Sequence, residues 1–199
     1  MTDRPSLGQL KRQLVRDQLT ESAMRLLAQQ GLEATTAEQI AAEVGVSRRT
    51  FFRYFDSKED VIVQAFTEAG NALCAELSAR LTAEGTAMAL RQTIAAFVQK
   101  MTEHPEKTLR LTRLVLDSPG LRARFLERQA QWQTDMAAVL SHGSSQNPVD
   151  LRPTLASGVA LTAFYTALTR WSADGGARDL AELVDEAFDV VTPALDVIN

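Results

Sequence analysis

Between Ser47 and Lys58 the chain carries Arg48, Arg49, Arg53 and Lys58 against one acid, Asp56. A guanidinium can pair with both acceptors on the edge of a guanine, and such a pair contributes about 1–3 kcal/mol of discrimination. An ammonium or a hydroxyl suits a phosphate oxygen, which fixes register without reading sequence. Over its whole length the chain is acidic, with a formal net charge of -4. A basic cluster confined to one segment of an acidic chain points to a localised polyanion footprint. Taken alone, the same cluster is equally well read as a solvated helix face.

The residues around the cluster decide between these readings. Thr36 followed by Gln39 matches a capping box, which starts a helix. Ile40, Ala41 and Val44 then recur at helical spacing. Gly45 stands where that helix must stop and reverse, a place for a left-handed residue. Val46 fits the corner, and Ser47 is an N-cap for the next helix. Phe51 and Phe55 fall on one face of it, which assigns them to the core. Arg48, Arg49, Thr50 and Arg53 occupy the rest of its surface as candidates for base edges. Thr36, Ser47, Tyr54 and Lys58 are candidates for backbone positioning, since phosphates favour helix starts. Phe52 either touches a thymine methyl or packs. The unit as a whole reads as a helix-turn-helix of the kind that enters a DNA major groove. Arg4, Lys11 and Arg12 precede the expected first helix, as a groove-reaching arm or a disordered lead.

This segment resembles the tetracycline-repressor (TetR) family of bacterial regulators. The resemblance is carried by Leu19, Ala23, Leu26, Leu27 and Gly31, then Thr36, Ile40, Ala41, Gly45, Val46, Ser47, Thr50, Phe51, Tyr54 and Phe55, then Lys58 and Glu59. It implies an all-helical homodimer whose third helix reads DNA and whose larger C-terminal domain binds a small molecule. Arg49 and Phe52 depart from the family's common small residue and tyrosine. The expected division is residues 13–73 for the DNA-binding three-helix bundle and 74–199 for a helical regulatory and dimerisation bundle.

The remainder reads as successive helices. Ser57 begins one that runs to about Leu81, and Gly85 breaks it. Segments 86–101 and 106–116 follow, separated by His104-Pro105. Pro119 opens the next, and HGSSQNP at 142–148 is a loop. Asp150 caps a long apolar helix through Trp171, Gly175-Gly176 ends it, and a last helix spans 178 to about 197. Leu155, Val159, Phe164 and Leu168, with Leu183, Phe188 and Val191, mark these last two helices as a dimer seam. A two-fold dimer implies a palindromic operator on double-stranded DNA. The small residues Ala156, Gly158, Ala160 and Ala163 permit close helix approach.

The segments 108–132 and 161–176 are similar to regulators that bind acyl-CoA-like ligands. Phe66, Phe97, Met101, Phe125, Trp132, Met136, Phe164 and Tyr165 are candidates for the wall of an effector pocket, or else plain core. Arg113, with Arg110, Arg122, Arg124 and Arg128, either binds an anionic head group or pairs with Asp117 and Glu127. The long helix from Ser57 is the expected lever between effector and DNA.

An enzyme is the rival class. The chain has two histidines, His104 and His142, in no metal-spaced cluster, and one cysteine, Cys74, remote in sequence from both. There is no glycine-rich phosphate loop and no nucleophile elbow. No metal or resident cofactor is expected, only a small-molecule effector. No apolar run reaches the roughly 18 residues of a membrane span, and no apolar leader opens the chain. The expectation is a cytoplasmic DNA-binding repressor released by an effector. The alternative is a helical ligand-binding protein without DNA recognition.

Overall fold

The computed structural model describes residues 6–141 and 150–198. Arg4, His142 and the 142–148 loop lie outside these residues. Among those described, the chain is all-α: α1 (Leu7–Ala34), α2 (Ala37–Val44), α3 (Arg48–Phe51), α4 (Lys58–Arg80), α5 (Thr86–Met101), α6 (Pro105–Asp117), α7 (Pro119–Ser141), α8 (Arg152–Ala173) and α9 (Leu180–Ile198). They form two compact units, residues 1–65 and 66–199, and the division falls inside α4. The sequence reading placed it in the same helix, at 73–74.

In the first unit, α1 begins earlier than expected. Ser6 and Gln9 form a reciprocal capping box, Gln9 N–H donating to Ser6 Oγ and Ser6 N–H to Gln9 Oε1. Two free amide donors are thereby satisfied, which starts the helix at Leu7. Lys11 and Arg12 therefore sit within α1, on its exposed surface, and the expectation of an arm fails for them. Gly31 breaks the regular helix with φ 79° and ψ 179°. Just beyond, the fully buried Thr35 donates its hydroxyl to the Gly31 carbonyl at 2.7 Å. Leu19, Ala23, Leu27, Ile40, Ala41 and Phe51 are all at most 1% exposed, so α1, α2 and α3 share one small core.

In the second unit, helix boundaries follow the punctuation in the sequence. Pro105 and Pro119 open α6 and α7, where a missing amide hydrogen costs nothing. Gly175 and Gly176 have φ 78° and 76° and turn the chain after α8. Asp179 then caps α9, accepting from Ala181 N–H at 2.6 Å, which sets its start at Leu180 rather than 178. Asp150 accepts the Arg152 N–H at 3.0 Å and binds its guanidinium, holding the start of α8. Helix α9 contains Pro193 within its length. Upstream of that proline, Arg91 of α5 grips Asp185 and Asp189 at 2.9 and 2.7 Å.

The proposed seam residues divide in two. Phe164, Leu168, Leu183 and Phe188 are at most 6% exposed and belong to the core of their own unit. Ala156, Ala160 and Ala163 are buried beside them. Helices α8 and α9 pack chiefly on each other and on their neighbours, and this internal burial claims those side chains. Leu155, Val159 and Val191 instead line an open groove of about 380 Å³ with Gln133, Gly158 and Thr162.

Candidate nucleic-acid interface

The reading unit is built by local chemistry. Thr36 Oγ1 accepts from Gln39 N–H at 3.2 Å, and Thr36 N–H donates to Gln39 Oε1 at 2.9 Å. Gly45 takes φ 74° and ψ 25°, and the following Val46 N–H donates back to the Ala41 carbonyl at 2.9 Å. This is the left-handed helix stop that glycine adopts without a Cβ penalty. Ser47 Oγ then accepts from Thr50 N–H at 3.1 Å. The α-helical span of α3 is only Arg48–Phe51, shorter than the spacing suggested. Helical hydrogen bonds nevertheless continue, Phe52 N–H to the Arg48 carbonyl and Phe55 N–H to the Phe51 carbonyl, both at 3.1 Å.

Two rings hold this short helix. Phe51 is fully buried and Phe55 is 5% exposed, with ring centroids 5.5 Å apart. Burying one such side chain contributes about 1.5–3 kcal/mol. Phe52 is 43% exposed, stands edge-on to Phe51 at 5.3 Å, and so lies on the surface. Around these rings the cations face outward. Arg48 lies over the Phe52 ring at 5.3 Å and Arg53 over the Tyr54 ring at 5.3 Å. Arg49 is exposed and has no ion pair among the described residues. Thr50 is half-buried, its hydroxyl 3.0 Å from that of Ser47.

Lys58 makes contacts within the unit that its position in the sequence did not suggest. Its ammonium donates to the carbonyl oxygens of Leu32 and Thr35, the latter at 2.9 Å. It clasps the corner between α1 and α2, where the Gly31 break frees backbone acceptors. The hydroxyls of Thr36 and Ser47 are likewise engaged in capping. Two contributors escaped the sequence reading. Glu38 pairs with Arg48 Nε at 2.7 Å, and Arg16 lies over the Phe55 ring at 5.8 Å. Neither partner is near in sequence; the only hint of Glu38 was an acid in the first turn of α2.

In the second unit, the structure gathers the aromatic candidates. Phe66 and Phe125 are 5.1 Å apart, Phe97 and Phe164 5.6 Å, Phe125 and Trp132 5.9 Å, and Phe125 and Tyr165 6.0 Å. Trp132 donates its indole N–H to the Phe66 carbonyl at 2.9 Å. Phe125, Trp132, Met136 and Phe164 are buried, whereas Phe66, Phe97, Met101 and Tyr165 are half-buried. Arg113 does not point its charge among them. It donates to the Ser172 carbonyl at 3.4 Å, in the last turn of α8.

A short helix presenting arginines, held by buried phenyl rings and set behind a glycine turn, defines a helix-turn-helix DNA-binding protein. Comparison with known proteins makes the assignment specific. Residues 19–65 match the family described as bacterial regulatory proteins, tetR family, and residues 84–196 match the MftR C-terminal domain. The HTH-type transcriptional regulator TcmR of Streptomyces glaucescens is 30% identical over 96% of this chain and 88% of its own. The fold is similar to the fatty acid degradation regulator FadR of Bacillus halodurans, with TM-score 0.66 at 20% identity over 97% of this chain and 98% of that one. It is also similar to Thermus thermophilus FadR, a TetR-family repressor solved with lauroyl-CoA, with TM-score 0.61 at 21% identity over 90% and 94% of the two chains. The chain belongs to the TetR family of DNA-binding transcriptional regulators. It is not an enzyme.

Proposed function

We propose that the protein represses transcription as a homodimer on a palindromic operator and leaves the DNA when an acyl-CoA-like effector binds. The observation that carries the DNA half is the division of the segment 48–55 into a buried face, Phe51 and Phe55, and an outward face, Arg48, Arg49 and Arg53. One reading head buries too little surface for tight specific binding, so two copies are required. The groove along Leu155, Val159 and Val191 supplies an apolar face for the second copy, beside Val190, which is 80% exposed. Half-sites then lie about one helical turn apart, or a multiple of it.

The effector reading is supported by the lauroyl-CoA bound to the Thermus relative and by the aromatic layer between Phe66 and Tyr165. An acyl chain suits such a layer, with half-buried Phe97, Met101 and Tyr165 at its margin. Helix α4 belongs to both units and is the proposed lever. An effector that prefers one head spacing by about 5.5 kcal/mol switches occupancy almost fully. An operator binder works where the chromosome is, in the cytoplasm.

Selection of bound fragments from genomic DNA gives the operator. Arg48→Ala combined with Arg53→Ala is expected to abolish its binding while the helical signal is retained. Lauroyl-CoA is expected to release the unmodified protein from the operator. Full operator affinity in the double variant would refute the DNA assignment, and indifference to lauroyl-CoA would refute the effector class.

A further inference from the structure

A cleft of about 410 Å³ opens at the turn between α8 and α9, lined by Leu109, Trp171, Gly176 and Leu180 among others. Its volume falls in the range of small-molecule sites, roughly 300–1,000 Å³. Trp171 is only 3% exposed, yet its indole N–H meets no acceptor among the described residues. The nitrogen is not sealed within the protein either. A largely buried indole usually finds a protein partner for its N–H, whereas this one is left accessible at the cleft. The other tryptophan obeys that rule, donating to the Phe66 carbonyl.

Gly176 keeps the space open. A Cβ there would lie 3.6 Å from the indole nitrogen and 3.0 Å from Leu109 Cδ2. The charges at the rim define the occupant. Glu106 and Asp179 contribute two carboxylates, and the guanidinium of Arg178 is already held by Glu186 at 3.0 and 2.5 Å. That rim disfavours an anion.

We propose that this cleft binds a small uncharged ligand with an apolar body and one carbonyl oxygen, which accepts the Trp171 indole N–H. The lining shares no residue with the aromatic layer, and the site does not depend on the effector assignment above.

The two indole N–H resonances of the ¹⁵N-labelled full chain provide the readout, with Trp171→Phe assigning them. Acetanilide, a phenyl ring with a neutral amide carbonyl, is the probe; benzoate is its anionic counterpart. Acetanilide is expected to move the Trp171 indole resonance downfield and leave that of Trp132 in place, while benzoate moves neither. Gly176→Ala is expected to weaken acetanilide binding by about tenfold, the loss of one good hydrogen bond. Gly45→Ala adds a Cβ at a positive φ of 74° outside the cleft, with nothing within 4 Å of it, and is expected to bind acetanilide like the parent chain. If Gly176→Ala does not fold, Trp171→Phe must weaken acetanilide binding in its place, followed through the ligand's own signals. Absence of a Trp171-selective shift at millimolar acetanilide, or an equal shift with benzoate, would overturn the proposal.

Discussion

The carboxylate of Glu38 lies 2.7 Å from the guanidinium of Arg48, joining the first turn of α2 to the first residue of α3. Both side chains are more than half exposed, 54% and 65%, so the pair adds little to stability. On the proposed reading its effect is expected on binding, because it pairs a base-reading candidate with an acid on the same surface.

Glu38→Gln removes that acid and frees Arg48. Exposed pairs contribute about 0.2–1 kcal/mol, so affinity for non-operator duplex is expected to rise by up to about fivefold. Discrimination between operator and random duplex is expected to fall. Titration of both duplexes at two salt concentrations checks this, and unchanged discrimination would count against a positioning role for Glu38.

Lys58→Met separates a structural lysine from a phosphate ligand. Loss of the contacts to the Leu32 and Thr35 carbonyls is expected to lower stability by about 1.5–3 kcal/mol, the range for charged hydrogen bonds. The slope of operator affinity against salt is expected to stay the same. A slope reduced by about 0.9, one released counterion, would instead assign Lys58 to a phosphate.

Gly45→Ala tests the turn. Nothing lies within 4 Å of the Cβ it adds, so no clash contributes. The left-handed backbone alone is expected to cost about 1–2 kcal/mol. Gly45→Asn is expected to cost less, because asparagine visits this region more readily. Equal losses in urea unfolding would point to a cause other than backbone conformation.

Cys74 tests the surroundings of α4 in the second unit. Burial first, and the nearby carboxylate of Asp135 second, push its thiol above the ordinary value. A raised pKa leaves less thiolate at any given pH, and the thiolate is the nucleophile. Alkylation by iodoacetamide is therefore expected to rise only at high pH. Asp135→Asn is expected to move that rise to lower pH, and a profile that does not move would remove Asp135 from the account.

The reading head was legible because its signals are local. The Thr36–Gln39 box, the Gly45 stop and the Ser47 cap each involve residues within a turn of one another, and each lies where the spacing put it. The same logic would have found Ser6 and Gln9, but the charges of Lys11 and Arg12 drew that stretch towards an arm. The contacts of Lys58 were not legible because its partners lie 23 and 26 residues away, beyond any pattern along the chain. The acceptor of Arg113 is 59 residues away and was hidden for the same reason.

The seam shows a second limit. Helix α8 is apolar on more than one face, and periodicity marks Phe164 and Leu155 alike. Packing makes the first 1% exposed and the second 53%. Which apolar face meets the chain's own helices, and which is left exposed, is a three-dimensional fact. The aromatic layer is similar: Phe97 and Phe125 lie at helical spacing in either a core or a cavity wall.

Pro193 brings no amide hydrogen to α9, so the carbonyl of Asp189 lacks the donor that an unbroken helix would supply. Arg91 fastens the side chain of that same aspartate from α5. The helix is thus pinned up to the interruption, and beyond it Leu195 is buried, 1% exposed. Amide hydrogens after the proline will exchange with solvent through fraying of the terminal turn, while those from Leu183 to Phe188 wait for the whole unit to open.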